Sequence, residues 1–228
     1  TRKTIMIQRE LLDTAWIPDG EKLELFRHDQ DFMIVLGHNE LMSSRKWGSE
    51  EALATMAWDR IKGSSKRPHM LIGGYGMGFT LRAALKVLPA DARVTVVELV
   101  PEIIEWARGP MAHMTQDCLE DPRVTLLMGD VATVIGSGLG DYDAILLDVD
   151  NGPDGLVRED NNVIYSKAGL RAAKRALTTD GVLAVWSAGP DPAFTRRLEN
   201  AGFAVDEPQA SLGQALKLHR GKDWWGWC

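Results

Sequence analysis

Hydrophobic and polar positions change their period near residue 69. From there, short apolar runs alternate with stretches in which apolar residues recur every three or four positions. The runs predict strands at 69–73, 93–98, 123–128, 142–148 and 181–187, and the helical spacing predicts helices at about 78–88, 101–108, 130–136 and 166–177. Such alternation predicts an α/β fold, a parallel sheet with helices on both faces. A further helix over 191–202 and two strands, 203–207 and 215–219, complete the sheet as a terminal hairpin. Upstream the texture differs. Residues 4–8, 22–26 and 31–36 look like short strands, the last two joined by the polar turn 27–30. They predict a small antiparallel unit, too short for a core of its own and expected to pack against the main domain as a lid or dimer element. Residues 50–61 carry a helical stripe of Ala52, Leu53, Met56 and Ala57. Pro68 closes a polar boundary segment. The expected organisation is a small N-terminal β unit plus linking helix at 1–62, and a main domain at 63–228.

Candidate chemistry starts where the first long strand ends. Residues 73–78 hold four glycines, and Leu81, Ala84, Leu85 and Leu88 follow at helix spacing. Glycine tolerates positive φ and lets a ligand approach the backbone, and a helix N-terminus offers free N–H groups. Such a turn is either a ligand cradle or a plain tight βα turn. About twenty residues on, Glu98 ends the second buried strand, a position from which a carboxylate accepts hydrogen bonds from both ribose hydroxyls. The pair points to an adenosine-containing ligand. Asp130 ends the third strand, placed either to accept from an adenine amino group, with the Val131 N–H near a ring nitrogen, or to cap the next helix, and both roles are compatible. Asp148 ends the fourth strand. In a doubly wound sheet the ligand crevice lies where strand order reverses, so Asp148 is expected to face the glycine turn and to take a proton from an attacking amine. The alternative is that Asp148 caps a turn and Asp150 sits in solvent, because three aspartates among Asn, Gly and Pro also compose a surface loop.

Composition narrows the reading. The 228 residues are 45% hydrophobic and 25% charged, ordinary for a globular protein large enough for one α/β domain with an appendage. A net charge of −6 argues against a nucleic-acid partner and leaves room for a cationic substrate. No apolar run approaches the roughly 20 residues of a membrane span. Two cysteines, Cys118 and Cys228, suggest no disulfide framework and hence a cytoplasmic setting. The five histidines show no ligand spacing, so no metal is expected. The tail Trp224-Trp-Gly-Trp-Cys228 reads either as a cover for apolar surface or as a cap over a ligand.

Together these segments resemble the spermidine synthase family of polyamine aminopropyltransferases, within the wider S-adenosylmethionine-dependent methyltransferase-like fold. Gly74-Tyr-Gly-Met-Gly-Phe-Thr-Leu-Arg82 resembles the family's Gly-Gly-Gly-Asp-Gly-Gly-x-x-Arg turn, and Val97-Glu-Leu-Val-Pro101 its Val-Glu-Ile-Asp-Pro. Gly129-Asp130, Tyr142-Asp-Ala-Ile-Leu-Leu-Asp148 and Ala176-Leu-Thr-Thr-Asp-Gly-Val-Leu183 are similar to three later motifs, and Leu36-Gly-His-Asn-Glu40 is similar to the end of the family's small β domain. The resemblance implies a Rossmann-like methyltransferase fold with a seven-stranded, mostly parallel sheet. It implies donor binding by Gly74, Tyr75, Gly76, Met77, Gly78, Glu98, Leu99, Asp130 and Val131, catalysis by Asp148 with Asp150 attracting the cationic substrate, and a substrate wall of Glu40 and Tyr165. The implied reaction moves an aminopropyl group from decarboxylated S-adenosylmethionine to a small-molecule amine, in a homodimer. Met77 stands where the family has the aspartate that holds the donor's ammonium. Two unit charges about 4 Å apart interact by roughly 1 to 4 kcal/mol at intermediate dielectrics, enough to change which donor is preferred. Intact S-adenosylmethionine, with methyl or aminocarboxypropyl transfer, is therefore the alternative, and a nucleoside-binding partner protein without catalysis is a second.

Overall fold

The computed structural model describes residues 9–18, 20–45, 48–149, 161–187, 191–206 and 215–220. The chain divides into two compact units, Thr1–Trp47 and Gly48–Cys228. The first is an antiparallel meander of β1 (Glu10–Trp16), β2 (Lys22–His28), β3 (Asp31–Leu36) and β4 (Asn39–Ser43), paired in sequence order. The sequence pattern reveals β2 and β3 but neither edge strand. Both edges pair through a register shift, at Leu11/Asp13 in β1 and opposite Ile34/Val35 for β4, and such a shift breaks the two-residue alternation that betrays a strand. The strand expected at residues 4–8 lies outside the described residues, as does the tryptophan-rich tail.

The second unit opens with α1 (Gly48–Ile61), the helix that the sequence pattern groups with the N-terminal strands. Its fully buried face is Leu53, Ala54, Ala57 and Ile61, rotated from the expected stripe, with Ala52 and Met56 half-buried at its margin. Strand and helix then alternate: β5 (His69–Gly73), α2 (Phe79–Val87), β6 (Arg93–Glu98), α3 (Pro101–Arg108), a short α4 (Ala112–Thr115) with a 3₁₀ turn at Cys118–Glu120, and β7 (Val124–Met128). After these come α5 (Val131–Ser137), β8 (Tyr142–Leu147), α6 (Asn161–Tyr165), α7 (Lys167–Ala176), β9 (Leu177–Ser187), α8 (Pro192–Asn200), β10 (Ala204–Asp206) and β11 (Ala215–Arg220).

The seven strands lie in the order β10-β11-β9-β8-β5-β6-β7, with β11 antiparallel to both neighbours and the rest parallel. This is the doubly wound, mostly parallel sheet expected from the alternating pattern. Order reverses between β5 and β8, which pair directly, so the crevice beyond their carboxyl ends is the ligand position for such a sheet. Burial follows position. Central β8 is buried at every residue, whereas edge strand β7 leaves Leu127 and Met128 exposed. One boundary departs from expectation: β9 starts at Leu177, not 181. Tyr142 pairs with Leu177 but Ala144 with Val182, so a bulge absorbs the turn-like Thr178-Thr-Asp-Gly181 within the strand.

Candidate active site

Backbone hydrogen bonds gather the strand ends. The Gly74 N–H donates to Val97 O (2.9 Å), Asp148 N–H to Gly73 O (3.0 Å) and Gly129 N–H to Glu98 O (2.8 Å). The glycine turn, Glu98, Asp130 and Asp148 therefore share the carboxyl edge of four neighbouring strands. Two glycines of the turn are required by geometry. Gly74 has φ +86°, and a Cβ there would meet the Asp148 carbonyl oxygen at 2.6 Å. Gly78 has φ +77°, and a Cβ there would lie 2.6 Å from the Tyr75 hydroxyl. Their first task is thus to let the turn close on the protein itself, the tight-turn role the sequence leaves open.

Glu98 is 7% exposed and bridges two loops. Its Oε2 accepts the Tyr75 N–H (2.8 Å) and its Oε1 the Val100 N–H (2.9 Å). Burial pushes its carboxyl above the ordinary value, and the backbone N–H groups of Val100, Tyr75, Leu99 and Gly76 pull it back. A carboxylate offers about four acceptor sites, and the two short bonds from Tyr75 and Val100 take one on each oxygen. Leu99, between Glu98 and Val100, is half-buried.

Asp148 is placed by two groups that its sequence neighbourhood does not reveal. The Thr80 hydroxyl, in the first turn of α2, donates to Asp148 Oδ2 at 2.7 Å, and the same hydroxyl lies 3.5 Å from the Glu50 carbonyl oxygen in α1. Thr80 is 2% exposed. Asp148 keeps some solvent exposure, yet protein surrounds its carboxyl densely. That burial, with the Glu50 carboxylate beside it, pushes the carboxyl up to about 7, against the lowering bond from Thr80. The group is therefore poised to exchange a proton near neutrality. Carbon-13 NMR titration of Asp148 should find that midpoint moved down in Glu50→Gln, which removes the repelling charge, and up in Thr80→Val, which removes the stabilising donor. An unmoved midpoint in both variants would dismiss this assignment. In sequence, Glu50 reads as an acid suited to a helix first turn and Thr80 as an ordinary helical residue; only the approach of α1 and α2 to β8 joins them.

The remaining candidates fall in distinct places. Asp130 caps α5, accepting the Ala132 N–H at 2.8 Å, and is itself exposed, so the capping reading holds. Val131 is core, 5% exposed, with its side chain against Gly73. Gly76 has φ +55°, and Tyr75 and Met77 are both buried. The Tyr75 hydroxyl meets the buried Cys118 thiol at 3.6 Å, which fastens the glycine turn to the 3₁₀ segment before β7. Arg82, last residue of the turn motif, donates to Met114 O (2.9 Å) and Glu51 Oε1 (3.0 Å), tying α2 to α1 and α4. Tyr165, expected on a substrate wall, is a core residue, edge-on to Phe194 with its hydroxyl donating to Val149 O at 3.5 Å. Glu40 is exposed on β4 of the first unit, and Asp150 lies outside the described residues. Among the described residues no helix is long and apolar enough to cross a membrane, and no cluster of His, Cys, Asp and Glu has the makings of a metal site.

Known proteins resemble this chain in sequence and in fold. The spermine/spermidine synthase domain family matches residues 49–195, the stretch from α1 to α8 that carries every motif of the second unit. A polyamine aminopropyltransferase of Streptomyces coelicolor is 29% identical over 157 residues, covering 65% of this chain and 29% of that protein. A putrescine N-methyltransferase of Nicotiana tabacum is 31% identical over 115 residues, covering 50% of this chain and 28% of that one. The chain thus spans less than a third of the length of these two relatives. The crystal structure of spermidine synthase from Thermotoga maritima superposes with a TM-score of 0.70 at 19% identity, over 93% of this chain and 72% of that one, which shows a common fold. With the family match covering most of the second unit and the strand ends arranged as described, the chain belongs to the spermine/spermidine synthase family.

Proposed function

We propose that this protein is a transferase that moves an alkyl group, most simply aminopropyl, from a sulfonium nucleoside to a small amine. The observation that carries the reading is the setting of Asp148: a carboxyl with a midpoint near 7, anchored by Thr80, immediately beside the glycine turn that Glu98 fastens. A sulfonium donor leaves as a neutral thioether, so attack by an amine needs positioning and a proton acceptor, and no acid. Asp148 fills the acceptor role, and Glu50 adds negative charge that draws a cationic amine to it. Glu98 and the exposed Asp130 are the residues for the donor's ribose and adenine, with the glycine turn beneath. Tyr165 supports the start of the segment that follows Asp148. A homodimer in the cytoplasm is the setting we propose from the family resemblance.

The donor is the finer question. Buried, uncharged Met77 supplies no anchor for a donor ammonium and no repulsion for a carboxylate. Calorimetric titration with S-adenosylmethionine and its decarboxylated form addresses this directly. The aminopropyl reading expects tighter binding of the decarboxylated donor, and release of methylthioadenosine on adding a pool of diamines. Preference for the intact donor with release of S-adenosylhomocysteine would make the protein a methyltransferase, the activity named for its tobacco relative. No binding of either donor would overturn the proposal.

A further inference from the structure

The opposite edge of the sheet holds a cleft. At the amino ends of β5, β6 and β7, a cleft of about 440 Å³ is lined by Arg67, His69, Arg93, Thr95, Arg123 and Thr125. Its volume is within the range of small-ligand sites. Asp91 is the sole acid among its lining residues, in a chain that carries a net charge of −6. The three arginines differ in availability. Arg123 grips Asp121 through Nε (2.9 Å) and a second nitrogen (2.8 Å) and donates to Leu88 O (2.9 Å), so it forms a fixed wall. Arg67 and Arg93 are exposed, and neither guanidinium has an ion-pair partner among the described residues. His69 is fixed as well. Its Nδ1 faces the Asp141 carbonyl (3.0 Å), which can only accept, so Nδ1 carries the hydrogen and Nε2 accepts from the Thr95 hydroxyl (2.9 Å). Burial and the nearby Arg93 charge hold the ring below its ordinary value, and therefore neutral. What remains for a visitor is a rigid polar floor with two unpaired forks of N–H donors, the geometry that takes an oxyanion in pairs of hydrogen bonds.

We propose that this cleft binds a small multivalent oxyanion of the pyrophosphate or phosphate-ester class, at a site separate from the candidate active site. A nucleic acid does not fit: two free cations neutralise about two phosphates, too few to hold a polyanion against an acidic protein. Titration calorimetry of the full chain with pyrophosphate and with glycerol 3-phosphate tests the proposal, the tighter of the two identifying an inorganic or an esterified ligand. Saturable one-to-one binding is expected, weakened about tenfold in Arg67→Gln and in Arg93→Gln, the scale of a charge-assisted hydrogen bond. Arg171→Gln, an exposed substitution on α7, should leave it unchanged, and circular dichroism should show all three variants folded. Absence of saturable heat, equal weakening by all three substitutions, or tighter binding of an oligonucleotide would overturn it.

Discussion

Asp148→Asn is expected to lower turnover by about a thousandfold while leaving donor affinity within a few-fold, because an amide keeps the shape and the Thr80 bond but accepts no proton. Single-turnover thioether release and donor calorimetry check the two halves. A second readout does not depend on activity. The Asp148 carboxyl titrates near 7 in the folded protein against an ordinary value of 3.8. A raised acid midpoint means that the native state holds the proton more tightly than the unfolded chain. Its stabilising contribution is therefore full below about pH 4 and lost as the pH rises through 7. Asparagine removes that loss, so the variant should melt above the parent at about pH 8 and near it at about pH 4. Retained turnover, or an identical melting difference at both pH values, would take Asp148 out of the proposed role.

Gly74→Ala should produce the largest loss of stability. Positive φ costs an L-residue about 1–2 kcal/mol, and the new Cβ at 2.6 Å from the Asp148 carbonyl oxygen adds roughly 1–3 kcal/mol more, since backbone on both sides has little freedom to yield. Gly63→Ala is the internal control, with φ +91° and open space around its Cβ position, so it bears the conformational cost alone. Denaturant midpoints at constant slope separate the two. Equal losses at both positions would mean that the close approach to Asp148 carries no weight. Donor binding should fall with Gly74→Ala and stay unchanged with Gly63→Ala.

Much of the second unit was legible because its signals are local. The strand at 69–73 and the helix at 101–108 match the observed elements to the residue, since a buried parallel strand is a continuous apolar run and Pro101 marks a helix start. The acidic strand ends Glu98 and Asp148 were readable for the same reason. Edge strands β1 and β4 escaped because their pairing slips, and the start of β9 escaped because a bulge looks like a turn. The site was half readable. Nothing near Asp148 in sequence names Thr80 or Glu50, which reach it through helix packing, and Tyr165 looked available only because its contact with Phe194 is long-range.

The backbone of Asp148 is locked to the glycine turn twice, by its N–H on Gly73 and by its carbonyl against Gly74. These two segments, distant along the chain, are consequently one mechanical unit: a substitution that displaces either displaces the other. Any replacement of the reacting loop therefore has to keep the turn's bare backbone at position 74, where no side chain fits beside the loop's first carbonyl.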